Sequence, residues 1–230
     1  MLVGVMIGAL AGLASAQGVN VTGRVMTYGG ATPAGGISAA VWLMPAGQTA
    51  NDPPDLKPVH TVLRQKNKTF EPHLLVVTKG STVDFPNLDP WFHNVFSLFN
   101  GKKFDLGLYE AGTSRTVHFD REGVSYIFCN IHPEMSAVVV VVSSPYYTVV
   151  PSNGEFSIAG VPPGRYTLHV WSENSLPETL AALMREVDVN GTTHSVGTLR
   201  VAETPKAQHK NKYGQDYEPP SPNNPIYAQP

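Results

Sequence analysis

Apolar and polar residues alternate along many short stretches of this chain, whereas the period of an amphipathic helix is rare. Val83 and Phe85 are separated by one residue, and so are Val117 and Phe119. Alternation with a period of two predicts strands that bury one face. The segments predicted as strands are 21–27, 37–44, 60–65, 73–78, 81–85, 94–98, 114–119, 124–129, 136–142, 146–150, 155–159, 165–171 and 193–201.

Three segments depart from this alternation. Residues 137–142 are all apolar and mostly valine, which predicts a strand covered on both faces. Residues 178–185 follow Pro177 and predict one short helix. Residues 202–230 are polar and rich in proline, so they are predicted to be a disordered tail. The pattern as a whole predicts an all-β fold.

The composition agrees with many turns and excludes several classes of partner and cofactor. The 230 residues include 21 glycines and 20 prolines, and 15% of residues are charged, against roughly 25% in a typical soluble domain. A net charge of −2 gives no electrostatic footprint for nucleic acid, which is not expected as a partner. The single cysteine, Cys129, excludes an internal disulfide, a four-cysteine iron–sulfur cluster and structural zinc sites with several cysteines.

The first sixteen residues resemble a targeting signal. Residues 1–16 are apolar, contain no charged side chain and end in Ala14-Ser15-Ala16, which fits the small-residue site of a signal peptidase. The segment is shorter than the roughly 20 residues that cross a bilayer. The sequence therefore predicts a signal peptide over 1–16 and a protein of the periplasm or the extracellular medium, with no stable membrane insertion after the signal is removed.

Four residues have the chemistry to bind one metal ion together. Cys129, His132 and Met135 lie in one short segment, and His93 lies upstream. Thiolate and thioether sulfur suit Cu(I), and a trigonal His₂Cys set with a distant axial methionine is the ligand set of blue-copper electron transfer. A strand that ends at Cys129 and a strand that begins near Ser136 leave a loop with three of these ligands. We therefore predict one copper ion bound by His93, Cys129, His132 and, at long range, Met135.

Other interpretations of these residues remain open. Each ligand taken alone is typical of a packed or surface residue, because an isolated cysteine or methionine usually only fills space. His73 competes with His93 for the first ligand position, since it enters a predicted strand, but it lacks the His-Asn-Val context of His93. No His-x-His pair and no second cysteine occur in the sequence, so a trinuclear or dinuclear copper cluster is not predicted.

The segment 61–143 resembles cupredoxins of the plastocyanin–azurin type. The resemblance is carried by Phe70-Glu71-Pro72, Lys79-Gly80-Ser81-Thr82-Val83, His93-Asn94-Val95 and the Cys-x₂-His-x₂-Met loop, whose length is most similar to that of amicyanin. It implies a Greek-key β-sandwich over 57–143 with one type 1 copper ion. In that family the asparagine after the first histidine ties the two ligand loops together by hydrogen bonds, a role that falls to Asn94. Residues 104–109 also resemble cupredoxin-like proteins called methylamine-utilisation proteins.

A second resemblance concerns the residues on either side of this segment. Residues 154–171 resemble the transthyretin-like β-sandwich of carboxypeptidase regulatory-like domains, and 21–25 and 39–43 resemble its first strands. The resemblance implies a smaller sandwich built from 17–56 and 144–201, with the cupredoxin inserted between its early and late strands. Two ordinary β domains in tandem, after an N-terminal linker, are the alternative.

The ligands and the resemblances imply an electron carrier and not an enzyme. We expect an exported type 1 copper protein that passes single electrons between redox partners, such as a c-type cytochrome or a dehydrogenase. His132 is the expected exit for the electron, because a ligand on a surface loop can present its ring edge to solvent, and Pro90, Trp91, Phe92 and Pro133 are the expected docking patch. The alternatives are a copper carrier or buffer that uses the same residues, and a non-catalytic surface interaction protein that has lost its metal.

Overall fold

Short strands dominate the part of the chain that the computed structural model describes, which comprises residues 18–29, 37–47, 55–98, 100–205 and 209–217. The predicted signal peptide lies outside these residues. The described elements are β1 (Val19–Tyr28), β2 (Ala39–Pro45), β3 (His60–Val62), β4 (Arg64–Lys66), β5 (Thr69–Glu71), β6 (Leu74–Thr78), β7 (Ser81–Pro86), β8 (His93–Ser97), β9 (Phe104–Tyr109), β10 (Ser114–Phe119), β11 (Gly123–Phe128), β12 (Ser136–Val142), β13 (Tyr147–Val149), β14 (Glu155–Val161), β15 (Gly164–Ser172), α1 (Pro177–Leu183), β16 (Arg185–Val189) and β17 (Thr193–Ala202). The predicted all-β class is confirmed.

Strands β3 to β12 form one unit, here called the inner sandwich. One sheet has the order β10-β7-β3 and the other the order β6-β12-β11-β8-β9, while β4 and β5 pair as a separate hairpin. The two sheets enclose a core of fully buried side chains that includes Phe85, Phe119 and Ile127. This arrangement places β8 and β11 side by side in the larger sheet, and two of the predicted ligands, His93 and Cys129, lie at the ends of these strands.

The strands before and after the inner sandwich share two sheets, here called the split sandwich. One sheet has the order β14-β1-β17 and the other the order β13-β2-β15-β16. Strand β1 is antiparallel to β14 and parallel to β17, and β2 is antiparallel to both β13 and β15. The chain therefore leaves this unit after β2 and returns to it with β13. Leu180 and Leu183 of α1 pack against its core.

Strand β12 is buried on both of its faces, which confirms the prediction from its uniformly apolar sequence. Val139 and Val141 point into the core of the inner sandwich. Val138 and Val140 point to the other side, where they pack in one cluster with Trp171 of β15. The larger sheet of the inner sandwich thus lies against the β13-β2-β15-β16 sheet, and the contact between them is apolar.

Three observed strands were not predicted from the sequence, and one predicted strand is divided. Strands β5 and β16 have only three and five residues, and β16 begins at Arg185, the last residue of the predicted helix. Strand β9 alternates apolar residues at 104, 106 and 108, but it contains Gly107, whose φ of 69° departs from extended backbone. The predicted strand 60–65 is divided at the buried Leu63 into β3 and β4. The predicted helix ends at Leu183, because Arg185 already pairs with Leu168 in β16. No helix in the described ranges has the length and hydropathy to cross a membrane.

The C-terminal residues differ from the predicted disordered tail where the structure describes them. Strand β17 continues through Ala202 beside Tyr28 of β1. Residues 209–217, here called the strap, hydrogen-bond to the inner sandwich. Composition predicts disorder for such a polar segment, but hydrogen bonds to a specific loop fix its position.

The apolar contact between the two sandwiches can be tested with Trp171→Ala. Trp171 is 5% exposed in the cluster beside β12, so its truncation leaves a cavity there. We expect the free energy of unfolding to fall by about 3–5 kcal/mol, measured by urea unfolding followed by circular dichroism. The control is Val149→Ala, because Val149 is 43% exposed and its truncation should change stability by no more than about 0.5 kcal/mol. Equal unfolding midpoints for the two variants would contradict the apolar contact.

Candidate metal centre

Two neighbouring strands bring the first two predicted ligands together. His93 is the first residue of β8, and Cys129 directly follows the end of β11. These strands are antiparallel neighbours in which Phe96 lies opposite Phe128. Because the start of one strand meets the end of the other, the imidazole and the thiol lie at the same edge of the sheet.

The other two predicted ligands lie on the loop that joins β11 to β12. The loop is closed at its base, where Phe128 pairs with Ser136 and the amide of Cys129 donates to the carbonyl of Met135 at 3.3 Å. Within the loop, the amide of Met135 donates to the carbonyl of His132 at 3.1 Å. These bonds fix the backbone at Cys129, His132 and Met135, so the loop is held in one shape by its own main chain.

Three donor atoms converge at this edge. The sulfur of Cys129 lies 3.9 Å from Nδ1 of His93 and 3.6 Å from Nδ1 of His132, and the two Nδ1 atoms are 3.1 Å apart. All three side chains are buried. Donors bonded to one ion at about 2.0–2.3 Å lie roughly 3–4 Å from each other. The three distances fit ligation of a single metal ion.

A buried carboxylate sets the orientation of the first imidazole. Asp89 lies 2.8 Å from Nε2 of His93 through its Oδ2 atom, and its side chain is 4% exposed. A carboxylate accepts the proton of Nε2, so Nδ1 keeps its lone pair and faces the cluster. Sequence reasoning missed Asp89, although an aspartate four residues before a candidate ligand is a signal that could have found it.

The turn of the β4–β5 hairpin holds Asp89 in place. The amides of Asn67 and Lys68 donate to its two carboxylate oxygens at 2.6 and 2.9 Å. Both residues have positive φ, 54° and 55°, as in the two-residue turns that favour tight hairpins. Burial opposes ionisation of Asp89, but these amides and the His93 ring outweigh it and lower the pKa of the carboxyl group. The group that accepts the hydrogen bond from Nε2–H of His93 is therefore an ionised carboxylate.

Both imidazoles of the cluster are neutral at physiological pH. Burial lowers the pKa of His93, although the bond to Asp89 acts in the opposite direction. Burial, the neighbouring His93 ring and the positive charge of Lys68 together lower the pKa of His132 to about 4. Neutral imidazole is the form that binds metals, so few protons compete for these two ring nitrogens.

The thiol has backbone partners suited to its ionised form. Burial raises the pKa of Cys129, while the N–H groups of Asn94, Ile131 and His132 donate toward the sulfur and act against this rise. The thiol is therefore protonated in the metal-free protein. Once a metal ion displaces the proton, the same three donors stabilise the thiolate.

Not every predicted residue lies where the sequence suggested. Met135 is fully buried in the same core cluster as Cys129. His73, the competitor for the first ligand position, lies outside the cluster and contacts Glu173 of the split sandwich at 2.6 Å. His132 is only 3% exposed, so the expectation that its ring edge faces solvent is wrong in this structure.

Asn94 links the ligand segments in a different way from the one that the resemblance implied. Its side-chain amide donates to Asp105 at 2.8 Å and to the carbonyl of Gly107 at 2.9 Å, both on β9. Its contact with the other ligand segment comes from the backbone N–H, which points to the sulfur of Cys129. The side chain therefore braces β8 against β9, and the main chain bridges to the cysteine loop.

Comparisons with known proteins return solved structures only. No protein-family model and no curated protein matches the chain. A purple cupredoxin from Nitrosopumilus maritimus is 24% identical and covers 36% of this chain and 99% of its own, with a TM-score of 0.33. A single-residue mutant of amicyanin in its reduced form is 21% identical and covers 44% of this chain and 98% of its own, with a TM-score of 0.34.

A copper-containing nitrite reductase from Thermus scotoductus SA-01 is also similar. It is 19% identical and has a TM-score of 0.35. The match covers 51% of this chain and 28% of the reductase chain, so this chain spans under a third of that enzyme's length. What this protein binds follows from its own residues and not from these likenesses.

The support that Asp89 gives to His93 can be tested in the metal-free protein. Asp89→Ala leaves the Nε2–H of His93 and the amides of Asn67 and Lys68 without their acceptor in a buried place. We expect a loss of about 3 kcal/mol of unfolding free energy, because unpaired buried donors are costly, as measured by urea unfolding. The matched control is Asp84→Ala, which breaks the exposed bonds of Asp84 with His60 and with the hydroxyl of Thr116 and should cost about 1 kcal/mol or less. Equal losses would show that Asp89 does not support the buried ring.

Proposed function

We propose that this protein is an exported type 1 copper protein that carries single electrons between redox partners and catalyses no reaction of its own. One observation carries the proposal: a cysteine sulfur and two histidine Nδ1 atoms lie within 3.9 Å of one another and are all buried. The loop that supplies two of these donors ends in a fully buried methionine, Met135.

The set of donors favours copper over other common metals. Zinc in structural sites takes four strong ligands, usually with several cysteines, whereas His93, Cys129 and His132 offer three. The thioether of Met135, in the role of a long axial ligand, is a soft donor that suits Cu(I). A copper ion held by these donors would change between Cu(I) and Cu(II) by the gain or loss of one electron. The residues themselves contribute a fixed thiolate, two neutral imidazoles and a buried setting.

The surface next to the ligands offers a face for brief contacts with a partner. Phe92, the neighbour of His93, is 48% exposed, and Leu88 is 54% exposed. Pro90 and Pro133 are also exposed, whereas Trp91 is half-buried with the ammonium of Lys68 4.8 Å above its ring. Since His132 is covered, a partner such as a c-type cytochrome or a dehydrogenase meets this apolar face and not the ring edge of a ligand. Small apolar faces suit short redox encounters.

We assign the inner sandwich to the cupredoxins, inserted into a carboxypeptidase regulatory-like sandwich. The assignment is supported by the sheets that β1 and β2 share with β13 to β17, which tandem domains would not form. In this proposal the split sandwich covers the outer face of the larger cupredoxin sheet. Export rests on the sequence of residues 1–16.

The copper site can be tested by colour. The purified protein, loaded with copper and oxidised, should show intense blue or green colour, because the thiolate of Cys129 donates charge to Cu(II). Cys129→Ser should abolish the colour in the visible absorption spectrum. The matched control is His118→Ala, which removes an exposed histidine of β10 in the same sandwich, outside the cluster, and should leave the spectrum unchanged. A colourless wild-type protein with one copper ion per chain would refute the type 1 site.

Redox behaviour separates the proposed electron carrier from the alternatives. A carrier should cycle reversibly in voltammetry without loss of copper. Slow or absent cycling with tight retention of Cu(I) would indicate a copper carrier or buffer that uses the same residues. A protein that takes up no copper, and in which His93→Ala changes stability alone, would be a surface interaction protein.

A further inference from the structure

We infer that the strap, residues 209–217, is a built-in clamp that positions the ligand loop from outside and slows the loss of its metal. The inference rests on the proposed copper site. It assigns a role to Tyr217 and His209 as positioning residues, because they contact the loop and not the donor atoms of the site.

The strap contacts the ligand loop at three successive points, Cys129, Asn130 and Pro133. The hydroxyl of Tyr217 donates to the carbonyl of Cys129 at 2.8 Å. Nε2 of His209 lies 2.7 Å from the carbonyl of Pro133, the residue after His132. Between them, the amide of Lys212 donates to the side-chain oxygen of Asn130 at 3.0 Å. Polar groups on both sides of the loop therefore have their partners in the strap.

The strap is itself held together over the loop. Nδ1 of His209 and the hydroxyl of Tyr217 are 3.2 Å apart, and the His209 ring stacks on Phe128 with a centroid distance of 4.2 Å and an angle of 23°. Phe128 is the last residue of β11, directly before Cys129. The aromatic stack seats the strap on the strand, and the hydrogen bonds connect it to the loop.

A further contact joins the strap to the segment that carries the other imidazole. Nζ of Lys212 lies 2.8 Å from Oδ2 of Asp105, and the other oxygen of Asp105 accepts the bond from the Asn94 side chain. Asn94 follows His93 directly. The strap therefore bridges the two parts of the chain that supply the donors.

A clamp of this kind changes how fast the loop opens. Metal release from a buried site requires the loop backbone to move, and groups that bond to the backbone of ligands oppose that motion. Loss of partners that orient ligands typically lowers metal affinity by roughly 10–100-fold. The strap therefore acts on the retention of copper and on the opening of the loop, whereas the identity of the donors is unchanged by its removal.

The test compares Tyr217→Phe, His209→Ala and a chain that ends at Pro205 with the wild-type protein. In the metal-free proteins, amide hydrogen exchange of residues 129–135 should become faster in each variant. In the Cu(I)-loaded proteins, transfer of copper to an excess of a Cu(I) chelator should become roughly 10-fold faster for Tyr217→Phe and faster still for the shortened chain. The colour of the oxidised protein should persist, because no donor is removed.

The matched control is Tyr28→Phe, which makes the same change at an exposed tyrosine (58%) of the split sandwich and should alter neither rate. Unchanged exchange and unchanged copper release in Tyr217→Phe, His209→Ala and the shortened chain would overturn the clamp while leaving the copper site intact. If the wild-type protein takes up no copper, the proposed function fails, and exchange in the metal-free proteins still decides whether the strap holds the loop.

Discussion

Holding a thiol and two imidazoles together out of water is the constraint on which the rest of the inner sandwich depends. Buried polar groups destabilise a fold unless each has a partner. Here the carboxylate of Asp89 accepts a hydrogen bond from Nε2–H of His93, and the N–H groups of Asn94, Ile131 and His132 point to the sulfur of Cys129. The fold offsets the burial with directed hydrogen bonds, and those same bonds fix where each donor atom points.

The split sandwich contributes to the site through β12, although it supplies none of the three clustered donors. Strand β12 begins where the ligand loop ends, and its outward valines are covered by β2 and β15. His73 adds a polar link, since its ring lies 3.0 Å from the carbonyl of Ser136 and 2.6 Å from Glu173. An uncovered β12 would expose Val138, Val140 and Val142 to water. Burial of these valines against the split sandwich therefore connects the end of the ligand loop to a second hydrophobic core.

Residue types and spacing predicted the donors, but not what holds them. The pattern around Cys129 identifies the loop because thiol and imidazole side chains at this spacing could hold one metal ion. The valines of β12 predict burial because only a covered strand tolerates them. The position of Asp89 four residues before His93 is only a weak signal, since the contact itself depends on a hairpin turn at Asn67 and on the register of β8. The order of the strap was missed for the same reason: composition measures average burial, whereas its position depends on single hydrogen bonds to one loop.

Asp89 and the strap act on different parts of the proposed copper site: Asp89 contacts the ring of His93, and the strap contacts the backbone of the ligand loop. Asp89 acts through a side chain and brings a negative charge behind His93, which favours the more positive oxidation state of an ion held there. Burial of the whole site acts in the opposite direction, because a medium of low polarity favours the less charged state. The strap adds little to this balance, since its contacts to the loop are neutral groups bonded to the backbone and the charge of Lys212 is met by Asp105. The two supports are therefore separable: the carboxylate influences which oxidation state is favoured, and the strap influences how long the loop stays closed.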